Sequence, residues 1–187
     1  AGNLKQMKES IKIHYKTFKP FLSHEEILKS IDSVAAKINA DFAGCEDVPI
    51  ILCVLNGAIV FTGELLQRLD FNCELVSVKM SSYQGTKSTG TVLNVMGLTA
   101  DIKGRRVILC EDIVDTGNTI VALKEMLLDK GAADVKICTM LFKPDVYDKD
   151  EKLDYVGKSI PNAFIVGFGL DYDELGRNSR DIYVIDE

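Results

Sequence analysis

Arg106-Val107-Ile108-Leu109-Cys110-Glu111-Asp112-Ile113-Val114-Asp115-Thr116-Gly117-Asn118-Thr119 is the stretch that decides the fold. Val107 to Cys110 is a continuous apolar run, short enough for a β-strand and apolar enough to be buried on both faces. Two carboxylates, Glu111 and Asp112, stand where that strand is expected to end. Two more apolar residues lead into a polar turn, Asp115 to Thr119, and then into an amphipathic helical pattern. Strand, acidic edge, Gly-containing turn, helix: that order puts backbone N–H groups and two hydroxyls at a helix N-terminus, which is an anion site. A phosphate held there beside acids implies a phosphorylated sugar whose hydroxyls, or whose metal, the carboxylates hold. Taken alone, such a turn is equally an ordinary N-cap, and strand-end acids are often only solvated. The magnesium-binding strand of P-loop NTPases is excluded, because no Gly-x-x-x-x-Gly-Lys-Ser/Thr loop occurs in the chain.

Outward from this stretch the chain reads as an α/β protein. Ser23-His24-Glu25-Glu26 is a capping box, Leu22 can staple onto Ile27, and helical spacing continues from Ile27 to about Asp41. Ile50 to Leu55 reads as a buried parallel strand, Asn56-Gly57-Ala58 as a turn, and Ile59 to Leu69 as a helix leading to a strand over Glu74–Met80. Ser81 to Thr91, rich in Gly, Ser and Thr, is expected to be a surface loop. After the central stretch, a helix from about Thr119 to Lys130 ends at Gly131, and Val135–Phe142 completes a second βαβ unit. Pro144 keeps Lys143 extended, so its ammonium points off the carboxyl edge of the sheet. A short strand at Tyr155-Val156 and a closing one at Ile182–Ile185 follow. Two βαβ units and a further strand give an open, mainly parallel twisted sheet flanked by helices on both faces, with ligand at the carboxyl ends of the strands.

At 187 residues, one domain is expected. With 47% apolar and 27% charged residues the chain is globular, and a net charge of −6 disfavours a general nucleic-acid binder. Residues 1–19 are locally basic and read as an arm with an edge strand at Ile11-Lys12-Ile13. Five cysteines without a Cys-x-x-Cys pair argue against a disulfide scaffold or a zinc site. No apolar run approaches a membrane span and no secretory apolar region is read near the start, so a cytoplasmic, membrane-free protein is expected. Only His14 and His24 are histidines, so proton transfer falls to Asp, Glu, Lys or Tyr.

The central stretch resembles, residue for residue, the signature by which phosphoribosyltransferases bind 5-phosphoribosyl 1-diphosphate (PRPP). Together with Leu55-Asn56-Gly57, Ser82-Tyr83, Lys143 and the block from Phe164 to Arg177, the chain is similar to the hypoxanthine-guanine members of the purine phosphoribosyltransferase family. The resemblance implies a type I phosphoribosyltransferase fold, Rossmann-like, with a core over about 48–143 and a small hood from residues 1–20 and 144–187. It implies magnesium-dependent transfer of phosphoribosyl from PRPP to N9 of hypoxanthine or guanine, giving IMP or GMP and pyrophosphate, with xanthine left open.

Roles follow by position. Asp115, Thr116, Gly117, Asn118 and Thr119 would cradle the 5′-phosphate, with Asp115 also facing purine N7 as general base. Glu111 and Asp112 would hold the ribose hydroxyls, directly or through Mg2+. Leu55-Asn56-Gly57 would meet pyrophosphate through a non-proline cis peptide; Asn56 departs from the Lys or Arg that many members carry. Ser82-Tyr83 would belong to a lid that excludes water. Lys143 would read the 6-oxo group, Phe164 would stack on the purine, and carbonyls near Ile165 and Asp171 would read its 2-amino edge. Asp171 would bind, through water, a second Mg2+ on pyrophosphate, and Arg177 would contact that leaving group. Homo-oligomers, dimers or tetramers, are usual in the family. The competing reading is a regulatory relative that binds nucleic acid through a basic face, for which residues 1–19 are the candidate.

Overall fold

The computed structural model describes residues 7–84 and 91–187; residues 1–6 of the basic arm and residues 85–90, in the middle of the expected lid, lie outside the described residues. The first half of the chain forms β1 (Ile11–Ile13), β2 (Lys16–Leu22), α1 (His24–Asp41), β3 (Ile50–Leu55), α2 (Ile59–Leu66), β4 (Glu74–Gln84) and β5 (Thr91–Met96). The second half forms β6 (Arg106–Val114), α3 (Asn118–Asp129), β7 (Asp134–Phe142), β8 (Tyr155–Ser159), β9 (Ile165–Val166) and β10 (Ile182–Ile185).

The main sheet has the order β5-β4-β3-β6-β7-β8 and is parallel except for its β5 edge. Alternation along the strands divides its apolar side chains between two cores. Ile51 and Ile108 pack with Ile27 and Ile31 of α1 and Phe61 and Leu65 of α2. Ile50, Leu52 and Leu109 point the other way, toward Ile120, Leu123 and Leu127 of α3. Full burial of each such side chain contributes about 1.5–3 kcal/mol, which fixes the register of a sheet covered on both faces. The Ser23 capping box is formed, with Ser23 Oγ accepting from the Glu26 N–H and Glu26 Oε1 accepting from the Ser23 N–H. Cys53, Cys110 and Cys138 share one register row across β3, β6 and β7, all buried, so they serve as small apolar groups.

A second sheet, β1-β2-β10-β9, is antiparallel and joins the two ends of the chain. Here the sequence reading needs correction. Residues 11–22 are a hairpin, not an arm with one edge strand; Ile13, Phe18 and Leu22 are its buried positions, and Pro20 and the lysines obscured the alternation. Ser81 to Gln84 continue β4 and pair with β5, so the expected loop is shorter than its composition suggested. The 59–69 helix stops at Leu66. The short strand expected at Tyr155-Val156 is β8, which runs to Ser159 and pairs with β7 at the edge of the main sheet.

Candidate active site

The largest correction concerns the central stretch. β6 does not end at Glu111 and Asp112 but runs on to Val114, paired with β7 through Val114↔Phe142. β3, however, pairs with β6 only as far as Cys53↔Cys110. The two acids therefore stand where one neighbouring strand has left and the other remains, which opens a cleft on one side of a strand that is still held on the other.

The turn after β6 is built for an anion. Gly117 caps α3 with φ +87, a left-handed conformation that favours glycine, and has no side chain to cap the helix. Apart from that of Asn118, which turns to Thr116, the amides of the first turn of α3 remain as donors, at the positive end of a twelve-residue helix. A cavity of about 360 Å³ lies over this turn, lined by Val54, Glu111 and every residue from Ile113 to Ile120. Its size suits a small phosphorylated ligand. Thr116 Oγ1 accepts from the Asn118 N–H at 3.5 Å, which folds the turn around the cavity. From behind, Tyr147 and Lys149 press on Gly117: a Cβ there would fall 2.4 Å from the Tyr147 ring and 3.0 Å from Lys149 Cγ. Neither residue was singled out in the sequence, because they lie in an irregular acidic connection with no pattern of its own.

Glu111 and Asp112 are partly buried, and burial is the first cause that pushes both carboxyls upward. The charge of Asp112 raises Glu111 further. Local donors soften this: Glu111 Oε1 accepts from the Asp112 N–H at 3.2 Å and Asp112 Oδ1 from the Ile113 N–H at 2.7 Å, while the field of Arg177 favours the Asp112 anion.

Three close approaches then connect Asp112 to the C-terminal segment. A Cβ on Gly57 would meet Asp112 Oδ2 at 1.8 Å, and one on Gly169 would meet the Gly57 carbonyl oxygen at 2.4 Å. Gly169 is clasped by Arg177, whose Nη1 donates to the Gly169 oxygen at 2.8 Å and whose carbonyl accepts the Gly169 N–H at 3.0 Å. Arg177 Nη2 also lies 3.5 Å from Asp171 Oδ1, and Asp171 Oδ2 accepts the Glu174 N–H at 2.9 Å. The Leu55–Asn56 peptide is cis. The expected pyrophosphate loop, acid pair, Asp171 and Arg177 are in this way gathered into one contact chain.

Lys143 follows β7 directly and is only 8% exposed, with its Nζ 3.1 Å from Asp115 Oδ1. The ion pair was not foreseen, since its partners are 28 residues apart in the chain. Phe164 is 43% exposed and rests against Tyr172 and Phe18, while Ile165 beside it is buried in β9 opposite Val184. Ser82 and Tyr83 lie on β4 opposite Leu93 and Val92. Among the described residues, no group of three or more His, Cys, Asp or Glu side chains is disposed to hold a metal alone. Glu111, Asp112 and Asp171 are therefore not a closed three-carboxylate cage, because Asp171 is turned to Arg177 and to the Glu174 N–H. No helix among the described residues is long and apolar enough to cross a membrane.

Comparison with known proteins bears on the same region. Residues 19–173 match the model of the phosphoribosyl transferase domain family. The hypoxanthine-guanine phosphoribosyltransferase of Streptococcus pneumoniae is 40% identical over 170 residues, 90% of this chain and 93% of its own length. That of Lactococcus lactis is 40% identical over 86% of each chain. Among solved structures, a hypoxanthine phosphoribosyltransferase from Staphylococcus aureus superposes with a TM-score of 0.82 at 32% identity, covering 90% of this chain and 91% of its own. The hypoxanthine phosphoribosyl transferase of Trypanosoma cruzi gives 0.82 at 30% identity, covering 94% and 95%.

Proposed function

Since the chain belongs to the phosphoribosyltransferase family, among its hypoxanthine-guanine enzymes of purine salvage, we propose that the 115–119 turn holds the 5′-phosphate of PRPP while Glu111 and Asp112 hold the ribose. The enzyme joins hypoxanthine or guanine to the sugar and releases pyrophosphate, giving IMP or GMP. The observation that supports the assignment of roles most is the cavity over a glycine-capped helix N-terminus with Glu111 on its wall.

As the bond from C1′ to the pyrophosphate oxygen breaks, positive charge develops on the sugar, and the two carboxylates below stabilise it. N9 of the purine forms the new bond to C1′, and the N7 proton passes to Asp115. Lys143, paired with that carboxylate, donates to the 6-oxo group, so one ion pair serves both recognition and proton transfer. Phe164 offers its exposed ring to the base, and Leu55-Asn56-Gly57 with Arg177 receives the departing pyrophosphate. Ser82 and Tyr83 belong to the segment that covers the site.

Glu111 and Asp112 fit a divalent ion, being adjacent hard-oxygen donors whose unpaired charges burial disfavours. They would hold Mg2+ together with substrate oxygens, and Asp171 would reach a second ion through water. When bound, Mg2+ neutralises charge on the leaving pyrophosphate. A homo-oligomer and a cytoplasmic location belong to the same proposal.

An ammonium at Lys143 matches a 6-oxo purine and opposes the 6-amino group of adenine, and xanthine shares the 6-oxo edge. A spectrophotometric assay of the four purines with PRPP, with and without magnesium, tests the reading. Turnover of hypoxanthine and guanine that requires magnesium is expected; preference for adenine would overturn the role given to Lys143.

A further inference from the structure

We propose that Tyr172 is a positioning residue for purine binding, holding the Phe164 ring in the plane the base stacks on. This rests on the reading of Phe164 as the stacking aromatic. Phe164 is 43% exposed, so one face is open to a ligand while its orientation must be set from the covered side. The edge-on contact comes from Tyr172, with ring centroids 5.5 Å apart and planes at 89°. Phe18 supports Phe164 more loosely, at 6.0 Å and 39°.

Tyr172 is itself the centre of an aromatic cluster. It meets Phe18 at 6.1 Å, His14 at 5.5 Å and Tyr15 at 6.2 Å, the last two edge-on at 77° and 80°. Lys16 Nζ lies 5.7 Å from its ring centroid. His14 and Tyr15 are the tip of the β1–β2 hairpin and Lys16 opens β2; His14 turns the chain at φ +53 and is hydrogen-bonded to the Asp173 carbonyl at 3.2 Å. The basic N-terminal segment, otherwise without a part in the reaction, thereby fixes Tyr172, and Tyr172 fixes Phe164. Edge-to-face pairs favour one relative orientation over others, so the contact carries information about angle as well as area. A stacking ring that wobbles loses base affinity without disturbing the phosphate turn, which lies on a different sheet.

The test is a KM-against-kcat split on full-length enzyme. Tyr172→Ala is expected to raise KM for hypoxanthine and guanine roughly three- to tenfold, the range an aromatic edge contact supports. KM for PRPP and kcat should stay within about twofold on the same reasoning. Tyr172→Phe, which keeps the ring, should restore the purine KM, and Tyr15→Ala should give a smaller shift of the same kind. If Tyr172→Ala does not fold, Tyr172→Leu keeps the bulk and removes the edge contact, and it should show the same split. Phe164→Ala is run alongside. If it raises purine KM while Tyr172→Ala and Tyr172→Leu change nothing, or change PRPP and purine KM equally, this inference is overturned. If Phe164→Ala leaves purine KM unchanged, the stacking role fails instead.

Discussion

In the proposed site the two ends of the ligand are gripped by different means. At the phosphate end, the turn from Asp115 to Thr119 offers main-chain amides and hydroxyls, shaped by Gly117 and backed by Tyr147, with no cation among its own side chains. At the base end, Lys143 and Phe164 would act through side chains, with an ion pair to Asp115 and the Tyr172 cluster beside them. A phosphate is the same in every substrate, so a rigid backbone cradle suffices for it. A purine must be told from other purines, and that discrimination comes from groups aimed at particular atoms. In this proposal the two grips meet at Asp115, which belongs to both.

Asp115→Asn is therefore expected to have the largest effect. It keeps the shape of the turn and removes the proton acceptor, so kcat should fall by about 10²–10⁴ while PRPP affinity measured by equilibrium binding is largely kept. Unchanged turnover would remove the catalytic assignment.

Lys143→Gln should come next, acting first at the base end. Loss of a charged donor is expected to weaken hypoxanthine and guanine by roughly 10–100-fold. Steady-state kinetics should show KM for PRPP little moved, and a parallel rise in both constants would break the separation drawn above.

The converse variant is Gly117→Ala. Its Cβ would collide with the Tyr147 ring in a left-handed conformation, a backbone cost of about 1–2 kcal/mol before the clash is counted. PRPP KM should rise by roughly this factor of ten while purine KM holds. Removing the ring as well, in Gly117→Ala/Tyr147→Ala, should recover part of the loss.

The smallest effect concerns stability. Burial raises the Glu111 carboxyl in the folded protein, so its favourable contribution is complete in acid, below the unfolded value, and is lost as pH rises through the folded value. Glu111→Gln should accordingly melt at a higher temperature than the parent in neutral and alkaline buffer. The difference should shrink or reverse in acid, as followed by thermal melts across pH. A constant difference at all pH values would mean that the acid pair is not held against its own ionisation.

These two grips also differ in how readable they were. The phosphate turn is contiguous, and its strand, turn and helix each left a local pattern, so fold and turn could both be read from residues 106–119. Even there the end of β6 was misplaced, because the ladder to β7 that carries the strand past Glu111 and Asp112 is tertiary. The base end is assembled from distant segments, and so are the surroundings of the pyrophosphate loop. His14 meets Tyr172 and Lys143 meets Asp115 at the former, and Gly57 fits between Asp112 and Gly169 at the latter. No spacing in the chain announces such contacts. Phe164, Asp171 and Arg177 were reached through family resemblance, whereas Tyr147, Gly169 and Tyr172 required coordinates.

The most direct measurement is a crystal structure of the enzyme soaked with GMP. The account predicts the 5′-phosphate against the amides of residues 116–119, the ribose hydroxyls toward Glu111 and Asp112, and the 6-oxo group beside Lys143. GMP bound elsewhere, with that turn empty, would contradict it.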